Sequence, residues 1–161
     1  MSNDILKVPK IRKQVTLWVH PEGRVVGSLF LRTQGVERAG EQEPLEVLNQ
    51  DQNFLVVQLR DPYELRFYNR RSIIRVEYEE APGRALAEVK PLPCELHMMD
   101  GSLISGLIKE PLPPDRSRLF DYLNRTDERF LKVHVEGGMV YLVNKTYILH
   151  ATTSEDRDAV S

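Results

Sequence analysis

Apolar residues recur at every second position over much of the chain, in short runs separated by polar, glycine-bearing or proline-bearing stretches. Such alternation predicts half-buried strands, because successive side chains of a strand point to opposite faces. Val15, Leu17 and Val19 are interleaved with Thr16 and Trp18, and the turn signal His20-Pro21-Glu22-Gly23 leads into Val25–Leu31, which predicts a hairpin. Phe54–Leu59, Leu65–Tyr68 and Ile73–Tyr78 follow as strands. Glu95–Met99, Leu103–Ile108, Phe130–Val135, Met139–Val143 and Tyr147–Ala151 read the same way, with Gly137-Gly138 as a turn between two of them. One short helical turn interrupts each set. Asp115 or Ser117 can cap a helix in which Leu119 and Leu123 lie one turn apart, and Pro44 takes the well-tolerated first helical position in the earlier set.

The two sets carry their pieces in the same order, which suggests an internal duplication. Gly23–Leu29, Pro44–Asn49, Phe54–Val57 and Arg71–Ile74 correspond to Gly101–Leu107, Leu119–Asn124, Phe130–Val133 and Lys145–Ile148. This alignment makes Gly27 and Gly106, Leu48 and Leu123, Phe54 and Phe130, and Ile74 and Ile148 equivalent. Phe54 and Phe130 each open an apolar strand and are expected to anchor the two cores. The spacing excess of the first set falls in the polar Arg32–Glu41 stretch, where insertion costs little. Glu79–Arg84 reads as a turn, and Pro91 and Pro93 disfavour a helix or central strand. The organisation expected is therefore a first repeat over residues 10–80, a linker over 81–92, a second repeat over 93–152 and a flexible tail over 153–161. The fold class is mainly β with one helical turn per repeat: two tandem, small, bent sheets or partly open barrels of SH3-like or Sm-like kind.

The second set, with Gly106, Arg118-Leu119-Phe120-Asp121-Tyr122-Leu123-Asn124, Phe130 and Val143–Ile148, resembles a family of short bacterial proteins of unknown function. That family's pattern is a glycine hairpin, an Arg-Leu-x-Asp-x-Leu-Asn turn, a Phe-led strand and an Asn-Lys before the last strand. The resemblance covers residues 95–150 and extends less closely to 14–78. The first set departs from it, with Pro44 near the arginine position, Glu46 for the aspartate, and Arg70-Arg71 where Asn144-Lys145 stands. The resemblance implies a bacterial cytoplasmic protein and supplies no activity.

Composition narrows the function classes. The 161 residues are 41% hydrophobic and 29% charged, a globular mixture, and the net charge of −2 provides no global field for nucleic acid or an anionic membrane. Met1–Lys7 is polar and lacks the apolar stretch of a signal peptide, and no apolar run approaches the roughly 20 residues of a spanning helix. A soluble, cytoplasmic protein is the expectation. Cys94 is the only cysteine, so no internal disulfide can form, which fits a reducing compartment.

The candidate chemistry favours structural roles. Asp121 and Asn124, with Glu46 and Asn49 as counterparts, suit a helix start and a left-handed helix end, and Arg118 can bridge to Asp121. Cys94 and His97 are three apart, so a strand sends them to opposite faces and denies them a shared metal. His134 and His150 could pair across a sheet but bring no third ligand. No nucleophile elbow, phosphate loop, dinucleotide fingerprint or zinc-protease motif occurs, so no enzyme, cofactor or metal is expected.

The usable surface feature is basic: Arg66, Arg70, Arg71 and Arg75 cluster in sequence, with Trp18 as a candidate aromatic anchor, residue types enriched at protein interfaces. Through position 80 the chain holds 12 basic and 12 acidic residues, so nucleic-acid binding lacks the usual charge excess. The simpler alternative is that Trp18 fills the core and the arginines are solvated. The expected function is a non-catalytic protein-interaction module, an adaptor or assembly subunit, with homo-oligomerisation open. RNA or nucleotide binding by a small barrel is the second reading and an enzyme without a linear signature the third.

Overall fold

A computed structural model describes residues 10–33, 42–80, 90–110 and 118–153. The expected linker residues 81–89 and tail residues 154–161 lie outside them, as do Asp115 and Ser117.

Strand β1 (Lys10–Val19) and strand β2 (Gly23–Arg32) pair antiparallel from Lys10 opposite Arg32 to Val19 opposite Gly23. Gly23 closes the turn at φ +97°, where a β-carbon would be strained. Helix α1 (Pro44–Leu48) follows, then strands β3 (Phe54–Arg60) and β4 (Tyr63–Asn69), a 3₁₀ turn at Arg70–Ser72 and strand β5 (Ile73–Glu79). The second half runs β6 (Leu92–Met98), β7 (Leu103–Ile108), α2 (Leu119–Leu123), β8 (Phe130–His134), β9 (Met139–Asn144), a 3₁₀ turn at Lys145–Tyr147 and β10 (Ile148–Thr152). The chain is thus mainly β, as expected.

All ten strands join in one antiparallel sheet, in the order β10-β6-β7-β8-β9-β5-β1-β2-β3-β4. Within the first half the order is fifth, first, second, third, fourth strand, and the second half repeats it. The halves meet where β5 pairs with β9, Val76 lying opposite Leu142. Among the described residues the sheet does not close, and β4 and β10 form its two ends. No helix among them is long and apolar enough to cross a membrane.

Corresponding positions share local geometry. A bulge interrupts the β1–β5 ladder between Trp18 and Val19, and another interrupts β6–β10 between Ile148 and His150. Phe54 faces Asn69 across β3–β4, as Phe130 faces Asn144 across β8–β9. The Asn69 and Asn144 side chains each accept from the backbone N–H two residues on, at 2.9 and 3.0 Å, opening the 3₁₀ turns. Gly27 and Gly106 allow close strand approach, for a β-carbon would stand 2.6 Å from Val57 Cγ1 in one and 2.4 Å from the His134 carbonyl oxygen in the other.

Several expectations need correction. The Asn69-Arg70 pair, not Arg70-Arg71, occupies the place of Asn144-Lys145, so Ile73 rather than Ile74 corresponds to Ile148. A one-residue slip in a strand reverses every side chain, and Ile74 accordingly packs into the second cluster of buried residues while Ile73 packs into the first. Pro93 lies inside β6 despite the missing donor, because the β6–β10 ladder runs only over Glu95–Met98 and Pro93 stands beyond its end. Arg118 takes the N-cap position of α2, its backbone N–H donating to the Asp121 carboxylate at 3.1 Å. Asn49 and Asn124 end their helices at φ −94° and −97°, outside the left-handed region. Phe54 is exposed, whereas Phe130 is fully buried, so only one of the two phenylalanines anchors a core.

The two hydrophobic clusters do not respect the halves. Phe130, Val140 and Leu142 complete the first, around Leu17, Leu29, Leu48 and Val76. Ile74 enters the second, around Leu96, Ile108 and Val133, with Trp18 packed against it.

Candidate interaction surface

Of the five residues singled out in the sequence, Arg75 and Trp18 come together, and the five do not form one surface. Arg66 is on end strand β4, while Arg75 is on β5, with three strands between them in the sheet order. Arg66 donates to Tyr68 Oη at 2.9 Å and to Glu64 Oε2 at 2.6 Å, and Tyr68 donates to Glu22 at 2.7 Å. The Tyr68 hydroxyl and Glu64 carboxylate hold the Arg66 guanidinium above its ordinary pKa. Its charge is thus already shared with the carboxylates of its own chain.

Arg70 is the clearest correction, since it is 1% exposed. Its guanidinium donates to the backbone carbonyls of Gln52, Val47 (2.8 Å) and Leu48 (3.2 Å). Those last two belong to α1, whose final carbonyls have no helical partner, so a buried cation satisfies them. Burial, with help from nearby Arg129, lowers the Arg70 pKa. Lys145 repeats the arrangement in the second half, donating to Tyr122 O at 2.7 Å and Arg125 O at 3.2 Å.

Trp18 is half-buried, and Arg75 lies over its ring at 4.7 Å while donating to Glu77 at 2.7 Å. The Trp18 indole nitrogen is buried without a hydrogen-bond partner, which suits packing rather than a solvent-facing anchor. Arg71 alone of the four arginines is exposed, and its carbonyl accepts from Tyr147 Oη at 2.9 Å across the junction of the halves.

The histidines are placed otherwise than the sequence suggested. His150 stacks on His97 at 4.2 Å, the position matching Arg75 over Trp18, while His134 lies 3.7 Å from Glu80. Cys94 and His97 do alternate in exposure along β6, and burial pushes the Cys94 thiol up to about 11. No group of three or more ligand-type residues able to hold a metal occurs among the described residues.

Two features escaped the sequence reading. One is a buried lysine: Lys132 Nζ on β8 lies 3.3 Å from Glu80, 3.6 Å from Glu43 and 3.8 Å from Glu110. Glu43 and Glu80 come from the first half, so this cluster ties the halves together with charge. Burial raises the Glu110 pKa, and Lys132 opposes that rise.

The other is apolar. Phe54 and Val56 on β3 and Tyr63, Leu65 and Phe67 on β4 are all exposed. Val56 sits opposite Phe67, Phe54 opposite Asn69 and Gln58 opposite Leu65, so period-two geometry sends all five apolar side chains to one face at the end of the sheet. A contiguous apolar patch beside an unpaired strand edge is a recognised sign of a binding surface. The alternation Tyr63, Leu65, Phe67 was visible in the sequence, but nothing there said that this face would be exposed.

No protein-family model, no curated protein and no solved structure matches the chain.

Proposed function

We propose that the chain is a non-catalytic assembly subunit of the bacterial cytoplasm, built from two diverged copies of one small β unit, which binds protein through the β3–β4 face. The observation that carries this reading is the exposure of Phe54, Val56, Tyr63, Leu65 and Phe67 side by side at a sheet end. A patch of that kind is costly to leave in water and favours protein contact. The arginines support nucleic-acid binding poorly, because Arg70 is buried and Arg66 and Arg75 are paired with carboxylates.

Capture from the native cell extract tests the reading. The tagged chain is compared with a Leu65→Glu/Phe67→Glu variant after nuclease treatment. Proteins retained by the first and lost by the second support it. Identical retention by both, or material released by the nuclease alone, overturns it.

A further inference from the structure

The β5–β9 junction covers a face of the second half that has an uncovered counterpart in the first. Phe130, Val140 and Leu142, all 0% exposed, lie on one face of β8–β9 and pack into the first half's core. By the shared strand register their counterparts are Phe54, Leu65 and Phe67, which are 55%, 53% and 63% exposed. The opposite side of the junction shows the complement. Leu45, which the first half contributes, is buried in the same cluster as Phe130, while its counterpart Phe120 is 66% exposed. Leu48, Ile73 and Val76 are fully buried, while Leu123, Ile148 and Ala151 are only half-buried. Each half therefore has a donor face, β3–β4 or β8–β9, and an acceptor face formed by its short helix and last strand. One of each is used inside the chain, and one of each is left over.

We infer that the leftover faces join a second copy of this chain, head to tail, by repeating the internal junction: β10 and α2 of one copy receive β3–β4 of the next. This rests on the proposed binding role of the β3–β4 face and names its partner. The internal register transfers directly. Val76 opposite Leu142 becomes Ala151 opposite Phe67 of the neighbouring copy, and Arg75 opposite Val143 becomes His150 opposite Tyr68. Polar contacts transfer too. Asn144 donates to Ile73 O at 2.9 Å, and Asn49 accepts from Phe130 N at 2.8 Å. Their counterparts Asn69 and Asn124 are exposed, placed to meet Ile148 and Phe54 of adjoining copies. Since the two joining faces differ, the contact is heterologous, and repetition closes a ring or extends a filament.

The test is the mass of the purified full chain by light scattering from nanomolar to high micromolar concentration. Wild type is expected to form assemblies larger than a dimer. Phe67→Glu blocks the donor face and Phe120→Glu the acceptor face, and each alone is expected to be monomeric with an unchanged circular dichroism spectrum, both positions being solvent-exposed. Mixed, the two variants are expected to give one heterodimer and nothing larger, because one intact face remains on each. A wild-type chain that stays monomeric overturns the inference, as does a mixture that fails to pair. Capture of other proteins dependent on Leu65 and Phe67 would still uphold the binding role in that event, so the two failures are distinguishable.

Discussion

Asn49, at the end of α1, accepts a hydrogen bond from the Phe130 backbone N–H at 2.8 Å and turns its amide nitrogen toward the Phe130 carbonyl at 3.5 Å. One side chain of the first half thus serves as a strand neighbour for the first residue of β8. Removing it leaves a part-buried N–H without its acceptor, a loss of about 1–3 kcal/mol. Asn49→Ala is expected to lower urea stability by that amount, with Asn49→Asp, which keeps the acceptor, closer to wild type. Equal stability of Asn49→Ala and wild type would discard this role.

Arg70 satisfies three carbonyls from a buried position. Arg70→Met fills similar space and abandons those acceptors, so a cost of about 2–4 kcal/mol in chemical denaturation is expected. Arg70→Lys should cost less, because Lys145 performs the same task with two carbonyls in the second half. If charge reversal at Arg70 left the melting temperature unchanged, the side chain would have to be solvated after all.

Gly106 tolerates no β-carbon without backbone movement, since the obstacle is the His134 carbonyl oxygen at 2.4 Å. At Gly27 the nearest obstacle, Val57 Cγ1 at 2.6 Å, belongs to a side chain. Gly106→Ala should therefore destabilise by about 2–3 kcal/mol, and Gly27→Ala by less. Thermal melts of the two variants check the ranking, and the reverse order would mean that the β7–β8 approach is looser than described.

Burial lowers the His134 pKa; nearby Lys132 and Lys109 act in the same direction, while Glu80 and Glu43 oppose it. The unfolded chain then takes up the proton first as the pH falls. The stability His134 contributes is present above its ordinary value of about 6.5 and is lost as the pH drops through the lower folded value. Glu110, raised by burial, has the opposite sign, its contribution being lost as the pH rises through its folded value. Urea titrations between about pH 7 and pH 5.5 should show a decline that His134→Gln removes. Parallel pH profiles for the two proteins would exclude the effect.

Much of the fold was legible because strand periodicity is local. The hairpin at Val15–Leu31, the strand at Leu103–Ile108 and the helical turns at Pro44 and Leu119 follow from residue spacing alone. Assigning a face to the core is another matter. Phe54 and Phe130 open strands of equal apolar character, yet one is exposed and the other buried, because α1 packs against β8 and β5 pairs beside β9, while among the described residues no element packs over the matching face of β3–β4. Similarly, four arginines close in sequence are dispersed by the sheet: Arg70 turns into the helix end and Arg75 onto Trp18. Which strand lies beside which is a long-range property, and the Lys132 cluster, drawing Glu43, Glu80 and Glu110 from beside α1, β5 and β7, exists only once that order is set.

The pairing of Val76 with Leu142 also has a consequence for the order of events during synthesis. The ribosome adds about 5–20 residues per second, so the stretch between these partners takes roughly 3–13 s to make. For that interval the nascent first half lacks Phe130, Val140 and Leu142, and its apolar interior stays open along β5. A chaperone that shields exposed strands would have its longest opportunity there, and translation slowed between codons 80 and 142 would lengthen it.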